Sequence, residues 1–154
     1  MTRILFICHG NICRSPMAEF VMKYMAQQKG MSDRIYVSSA ATSREELGSD
    51  MHRGSKNKLR QEGVPFQRRA ARQVVPEDYR NFDYLIVMDE INLRNLRRII
   101  PEDTDRKIYK LLDFTDRKGQ NIADPWYTGN FDVTYDDIFQ GCKALLDVLE
   151  RREN

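Results

Sequence analysis

The chain has 154 residues, enough for about one domain that buries roughly two thirds of the surface its unfolded form exposes. Its 25 basic and 23 acidic side chains leave a net charge of +2, which argues against a dedicated nucleic-acid binder. No apolar run approaches the roughly 18 residues that span a bilayer, and three cysteines with no common zinc spacing form no disulfide framework, so a soluble protein of the reducing cytoplasm is expected.

In chain order, RILFIC (3–8) reads as a buried strand, and its apolar core ILFI is too short for a signal peptide. SPMAEFVMKYMAQQKG (15–30) follows as a helix: Ser15 offers an N-cap and Pro16 a first helical residue. Met17, Phe20, Val21, Tyr24 and Met25 form its apolar stripe. RIYVSSAA (34–41) is a second strand, and MHRGSKNKLRQEG (51–63) a basic helix that ends at Gly63. The basic residues from 53 to 72 (Arg53, Lys56, Lys58, Arg60, Arg68, Arg69, Arg72) read first as a solvated face, with a surface for an anionic partner as the alternative.

FDYLIVMD (82–89) is a third strand. EINLRNLRRII (90–100) is a helix with Ile91, Leu93, Leu96, Ile99 and Ile100 on its apolar side, and KIYKLLDF (107–114) a fourth strand. The last helix, from about Thr134 to Arg152, aligns Tyr135, Ile138, Phe139, Cys142, Leu145, Leu146 and Leu149. Alternation of strands and helices predicts a single domain over residues 1–154: a doubly wound, mainly parallel four-stranded α/β sheet with helices on both faces. Ligands of such sheets bind beyond the carboxyl ends of the strands, where residues 8–15 lie.

Those residues, CHGNICRS, pass from strand to helix through Gly10 and Asn11, which tolerate positive φ. A loop of this kind gathers backbone N–H groups around a hollow, and the start of the helix adds unpaired donors and a positive dipole end. His9, Gly10, Asn11, Ile12, Cys13, Arg14 and Ser15 together make a phosphate-binding candidate, with the Arg14 guanidinium matched to two phosphate oxygens. The same field favours a thiolate at Cys8, placed for in-line attack on phosphorus without any metal or cofactor. Ser15 is able to donate to the Cys8 sulfur, and Asn11 to brace the loop. The spacing C-x5-R alone is weak evidence; the strand before it, the glycine within and the helix after it strengthen it.

CHGNICRSPMAE resembles the signature of low-molecular-weight protein tyrosine phosphatases, and the resemblance continues through SSAATS (38–43), MDEINLRNL (88–96) and DPWY (124–127). It implies that Cys8 is the nucleophile, Arg14 the phosphate clamp, Asp124 the general acid, and Asn11 and Ser15 the bracing and thiolate-stabilising residues. Asp89 would hold Arg14 or the loop in place, and Cys13 would form a reversible disulfide with oxidised Cys8. Asp-Pro taken alone is a turn signal; as an acid, Asp124 would protonate the leaving phenolate and later activate water, on a stretch that Gly119-Gln120-Asn121 leaves free to move. Trp126 and Tyr127 would wall a cleft deep enough for phosphotyrosine and too deep for phosphoserine.

Bacterial phosphoarginine phosphatases resemble this loop but carry threonine where Ile12 stands, which points this chain toward phosphotyrosine. Ala41 replaces a glycine of the usual animal pattern, and SREELGSDMHRG (43–54) lacks the aromatic that often lines the cleft, so the chain looks more like bacterial members. A thioredoxin-coupled arsenate reductase shares fold and loop but needs two further relay cysteines, and only Cys142 lies outside the loop. A phosphopeptide-binding module or phosphocysteine carrier is the remaining alternative. The expected partners are phosphotyrosine proteins, with phosphate as product, no nucleic acid and no membrane; a monomer is expected, with a weak dimer as the variant.

Overall fold

The computed structural model describes residues 1–153. Strands β1 (Thr2–Cys8), β2 (Ile35–Ala41), β3 (Tyr84–Val87) and β4 (Ile108–Lys110) form one sheet in the order β2-β1-β3-β4, with all neighbours parallel. Side chains alternate along a strand, so Ile4, Phe6 and Cys8 enter the larger core while Leu5 and Ile7 enter the smaller one on the opposite face. Water is excluded from both faces of β1, which is why ILFI is continuously apolar. The chain winds from β1 to β2 on one side and returns to β3 on the other, opening a crevice at the carboxyl end of β1.

The helices are α1 (Arg14–Gln28), α2 (Arg53–Gln61), α3 (Asp78–Asn81), α4 (Glu90–Ile99), α5 (Pro125–Thr128) and α6 (Phe131–Glu153). Met17 and Val21 of α1 and Ile138, Leu145 and Leu149 of α6 fill the larger core, whereas Leu96 of α4 packs with Val74 and Phe82 in the smaller. Leu145 is fully buried, and its truncation to alanine would cost about 2–5 kcal/mol in lost burial and residual cavity. Among the described residues, no helix is long and apolar enough to cross a membrane.

Several local features differ from expectation, each for a physical reason. Ser15 is not the N-cap of α1: the helix starts at Arg14, Cys13 stands at the cap without a side-chain bond, and the buried Ser15 hydroxyl is committed to Cys8 and Asn11 instead. Pro16 still falls in the first turn, where its missing N–H has no intrahelical acceptor to lose. The fourth strand ends at Lys110, because the Asp113 carboxylate accepts the Lys110 N–H at 2.9 Å and turns Leu111–Phe114 into a 3-10 helix. Leu111 then presses on α6, where a Cβ at Gly141 would fall 2.4 Å from its Cγ.

The third strand is shortened to Tyr84–Val87; before it the Asp83 carboxylate accepts the Arg3 N–H, and after it Asp89 caps α4. Ile91 is 60% exposed and faces away from the apolar side of α4, and Phe139 lies half-exposed beside the ring of Tyr135. Much of the basic stretch is paired inside the molecule: Lys56 with Asp50 at 2.6 Å, Lys58 with Asp132 at 2.7 Å and Arg72 with Asp78 at 3.0 Å.

Candidate active site

The carboxyl end of β1 delivers Cys8 to the base of a cleft lined by Cys8, His9, Gly10, Ile12, Cys13, Arg14, Glu45, Glu46, Asp124, Trp126 and Tyr127. The loop that follows is held from outside by its carbonyls. Those of Cys8, His9, Ile12 and Cys13 accept from the N–H groups of Thr42, Ser43, His52 and Met17, and the Ser55 hydroxyl adds a second bond to Cys13. In contrast, the N–H groups of residues 9–13 find no backbone acceptor among the described residues. A loop so arranged keeps its donors for an anion.

Behind the loop sits Asn11, wholly buried, with φ at 59°. Its side chain substitutes for the contacts that a left-handed backbone cannot make: Nδ2 donates to Ser15 Oγ at 2.8 Å and to Ser39 Oγ at 3.0 Å. Ser15 Oγ in turn lies 3.0 Å from Cys8 Sγ, and the Ser15 N–H reaches the same sulfur at 3.4 Å. Asn11 and Ser15 therefore do not line the cleft; they support it from the core side.

Arg14 is 98% shielded from solvent, with partners at both terminal nitrogens of its guanidinium. Its Nη1 donates to Asp89 Oδ2 and to the Ile122 carbonyl, both at 2.7 Å, and its Nη2 reaches Asp124 Oδ2 at 3.4 Å. Burial works against the Arg14 charge, but Cys8, Asp89 and Asp124 outweigh it and raise its pKa, so the guanidinium stays cationic. Asp89 also accepts the Asn92 N–H at 2.7 Å as N-cap of α4, which ties the orientation of Arg14 to that helix.

Asp124 ends a segment that is better anchored than its glycine suggests. The Gly119 N–H donates to Asp113, Lys110 Nζ donates to the Gly119 carbonyl, and Asn121 Oδ1 accepts the Glu90 N–H at 3.0 Å. The Ile122 N–H donates to the carbonyl of Met88, the residue just past β3. Asp124 itself caps α5 through the Trp126 N–H at 3.0 Å, with Pro125 at the first helical position. The turn expected of Asp-Pro is thus a capped helical turn whose second carboxylate oxygen faces Arg14.

Trp126 and Tyr127 stand at the cleft mouth, 59% and 81% exposed. The Trp126 ring meets His52 edge-on at 5.7 Å, and His52 stacks on Phe131 at 5.6 Å. Gly54 makes room for that stack, since a Cβ there would fall 2.3 Å from the Phe131 ring. On the opposite wall, segment 43–54 supplies carboxylates in place of an aromatic ring, with Glu45 Oε2 2.9 Å from His9 Nε2.

Cys13 lines the cleft beside Cys8, and burial, followed by the negative charge of Cys8 and Asp124, pushes its thiol up to about 12. It is a thiol at neutral pH. Cys142 is elsewhere, fully buried under α1 with its sulfur near the Ala18 carbonyl, and burial raises its pKa strongly.

Four supporting or wall residues escape a local reading of the sequence: Arg69, Glu19, Glu45 and Glu46. The Arg69 guanidinium donates to Asn11 Oδ1 across 58 positions, and Glu19 Oε1 accepts from Ser39 Oγ at 2.6 Å. The available signal for Glu19 is a charged residue one turn beyond Ser15 on a helix otherwise buried there.

A family model for low molecular weight phosphotyrosine protein phosphatase matches residues 3–154. The chain is 38% identical to the low molecular weight protein-tyrosine-phosphatase YfkJ of Bacillus subtilis, covering 99% of each protein. It is 36% identical to PtpA of Staphylococcus epidermidis, over 100% of this chain and 97% of that one. The crystal structure of YfkJ superimposes with a TM-score of 0.95 at 37% identity, over 100% and 98% of the two chains. That of a Drosophila arginine phosphatase superimposes at 0.86 and 29% identity, over 97% and 98%.

Proposed function

Since the chain belongs to the low molecular weight phosphotyrosine protein phosphatase family and is a phosphatase, we propose that it hydrolyses phosphotyrosine in proteins through a phosphocysteine intermediate on Cys8. The observation that carries this reading is the convergence of Cys8, Arg14 and Asp124 on one cleft, with Arg14 bonded to both Asp89 and Asp124. The phosphate sits in the loop with its oxygens on the amides of residues 9–13 and on Arg14. The Cys8 thiolate attacks phosphorus; the S–P bond forms as the bond to the phenolic oxygen breaks, and Asp124 gives its proton to that oxygen. Water then attacks the phosphocysteine, Asp124 takes its proton, and phosphate leaves as the Cys8 thiolate is regenerated.

Trp126 and Tyr127 flank the tyrosine ring, and Ile12, which lines the cleft without any hydroxyl, suits an apolar ring better than a guanidinium. Similarity to an arginine phosphatase keeps phosphoarginine as the second substrate to test. An arsenate-reductase relay is disfavoured because Cys142, the one cysteine outside the loop, is enclosed by α1 and α6. We further take residues 1–154 as one domain, and the three free cysteines suit a reducing cytoplasm. The test is a panel of phosphotyrosine, phosphoserine and phosphoarginine peptides with excess EDTA. Turnover of the first alone, undiminished by the chelator, is expected; a preference for phosphoarginine or a requirement for added metal would overturn the reading.

A further inference from the structure

Trp126 stands at the cleft mouth with little to hold it. Its helix, α5, is one turn long, the residue is more than half exposed, and the indole N–H has no partner among the described residues. An aromatic side chain in that state takes its orientation from packing alone. The one ring that meets it among the described residues is that of His52, edge-on at 5.7 Å with the planes 78° apart. His52 itself is fixed from three directions. Its N–H donates to the Ile12 carbonyl at 2.8 Å, which ties it to the phosphate loop. Its Nδ1 accepts the Gly54 N–H at 2.9 Å as N-cap of α2, so that nitrogen keeps its lone pair, and a flipped ring would offer the same donor only a C–H. Its face lies on the Phe131 ring at 5.6 Å and 17°, and Phe131 in turn packs against the larger core.

We propose that His52 is a positioning residue that holds the Trp126 indole in one place, so that the wall for the substrate ring is formed before the substrate arrives. The proposal rests on the reading of phosphotyrosine as the substrate. A wall already ordered spares the substrate the cost of immobilising a free indole, and that saving appears in KM. His52 does not line the cleft, and the phosphate would rest on the loop amides and Arg14, so kcat is not where its influence falls. Gly54 serves the same arrangement, because a Cβ there would fall 2.3 Å from the Phe131 ring and push it off His52. Replacing the His52 side chain leaves the backbone bond to Ile12 in place, which separates the effect on Trp126 from any effect on the phosphate loop.

Two substitutions separate the ring of His52 from its cap. His52→Asn keeps a side-chain acceptor for the Gly54 N–H and removes the ring, whereas His52→Phe keeps a flat ring for Phe131 and Trp126 and removes the acceptor. Trp126 is the only tryptophan of the chain, so fluorescence anisotropy of the free enzyme reports its motion directly. His52→Asn should lower that anisotropy and raise KM for a phosphotyrosine peptide about fivefold, with kcat changed by less than about twofold and Tm held. His52→Phe should keep anisotropy and KM while Tm falls by about 3 °C for the lost cap. In a Trp126→Ala background, His52→Asn should raise KM no further, since it acts through the indole. Unchanged anisotropy or KM in His52→Asn, equal KM rises in both variants, or a further rise in the Trp126→Ala background would overturn the proposal. If His52→Phe fails to fold by its melting curve, the anisotropy of His52→Asn and the double-variant comparison decide without it. Anisotropy reads Trp126 with no substrate present, so failure of this placement is separable from failure of the phosphotyrosine reading, which the peptide panel reports.

Discussion

The loop from Cys8 to Ser15 has two sides built in opposite ways. On the core side nearly every polar group is matched: four carbonyls accept from neighbouring segments, and Asn11 uses both protons and its oxygen. On the cleft side the amides of residues 9–13 are left without backbone acceptors among the described residues, beside a cationic Arg14. The first side makes the second possible. Backbone donors that converge on one point repel each other and relax unless their carbonyls and side-chain braces are pinned elsewhere, so the ordering cost of an anion site is met during folding and not at the moment of binding. Changes on the cleft side should therefore cost chemistry and leave the fold, whereas changes on the core side should cost both.

The largest separation is expected from Cys8→Ser. A hydroxyl without an adjacent base cannot replace the thiolate, so turnover should fall to background while inorganic phosphate still raises the melting temperature. A variant retaining measurable turnover would remove Cys8 from its role. Next is Asp124→Ala, which should lower kcat on phosphotyrosine peptides by about 10²–10⁴-fold, and less on p-nitrophenyl phosphate, whose leaving group needs little protonation. Because Asp124 also caps α5, the melting curve is the control: equal losses on both substrates with a destabilised fold would reduce it to a cap.

On the core side, Asn11→Ala strands the Arg69 guanidinium and puts alanine at a φ of 59°. A loss of about 2–4 kcal/mol in stability is expected, together with reduced activity, and urea unfolding measures it. Retention of full stability would mean that the loop holds its shape without that brace. The smallest effect concerns the outer end of the same support. Asp50 has a pKa of about 2: burial opposes its charge, but hydrogen bonds from Lys56 and from the Met51 and Arg69 N–H groups prevail. A depressed carboxylate stabilises the fold above its unfolded value, near 4, and loses that contribution as pH falls through 2. Asp50→Asn should lower Tm by about 2 °C at pH 7, with the gap closing between pH 4 and 2; a gap independent of pH would assign the effect to packing.

What is legible in the sequence follows the same division. β1, α1 and α6 can be read there because continuous or striped apolar residues report burial directly, and the parallel sheet follows from the alternation of strands with helices. The cleft side is legible because Cys8 and Arg14 stand six positions apart in one strand-to-helix loop and Asp124 stands in a recognisable DPWY. The core side is largely hidden. Arg69 reaches Asn11 over 58 positions and nothing local marks it; in a basic stretch it reads as one more solvated cation. Ser15 reads both as a cap and as a partner of the Cys8 sulfur; the first fails, and the second is met by the sulfur 3.0 Å away. Leu111 and Leu112 read as strand because a short apolar run does not distinguish a strand from a buried 3-10 turn.

Catalysis as described depends most on a covalent intermediate at Cys8. Mixing the Asp124→Ala variant with p-nitrophenyl phosphate and quenching within one turnover should trap it, because the leaving group needs little protonation while loss of the base slows hydrolysis of the intermediate. Mass spectrometry of the digest should then find one added phosphate on the peptide carrying Cys8. Phosphate on another residue, or turnover with no covalent phosphoenzyme at any quench time, would contradict it.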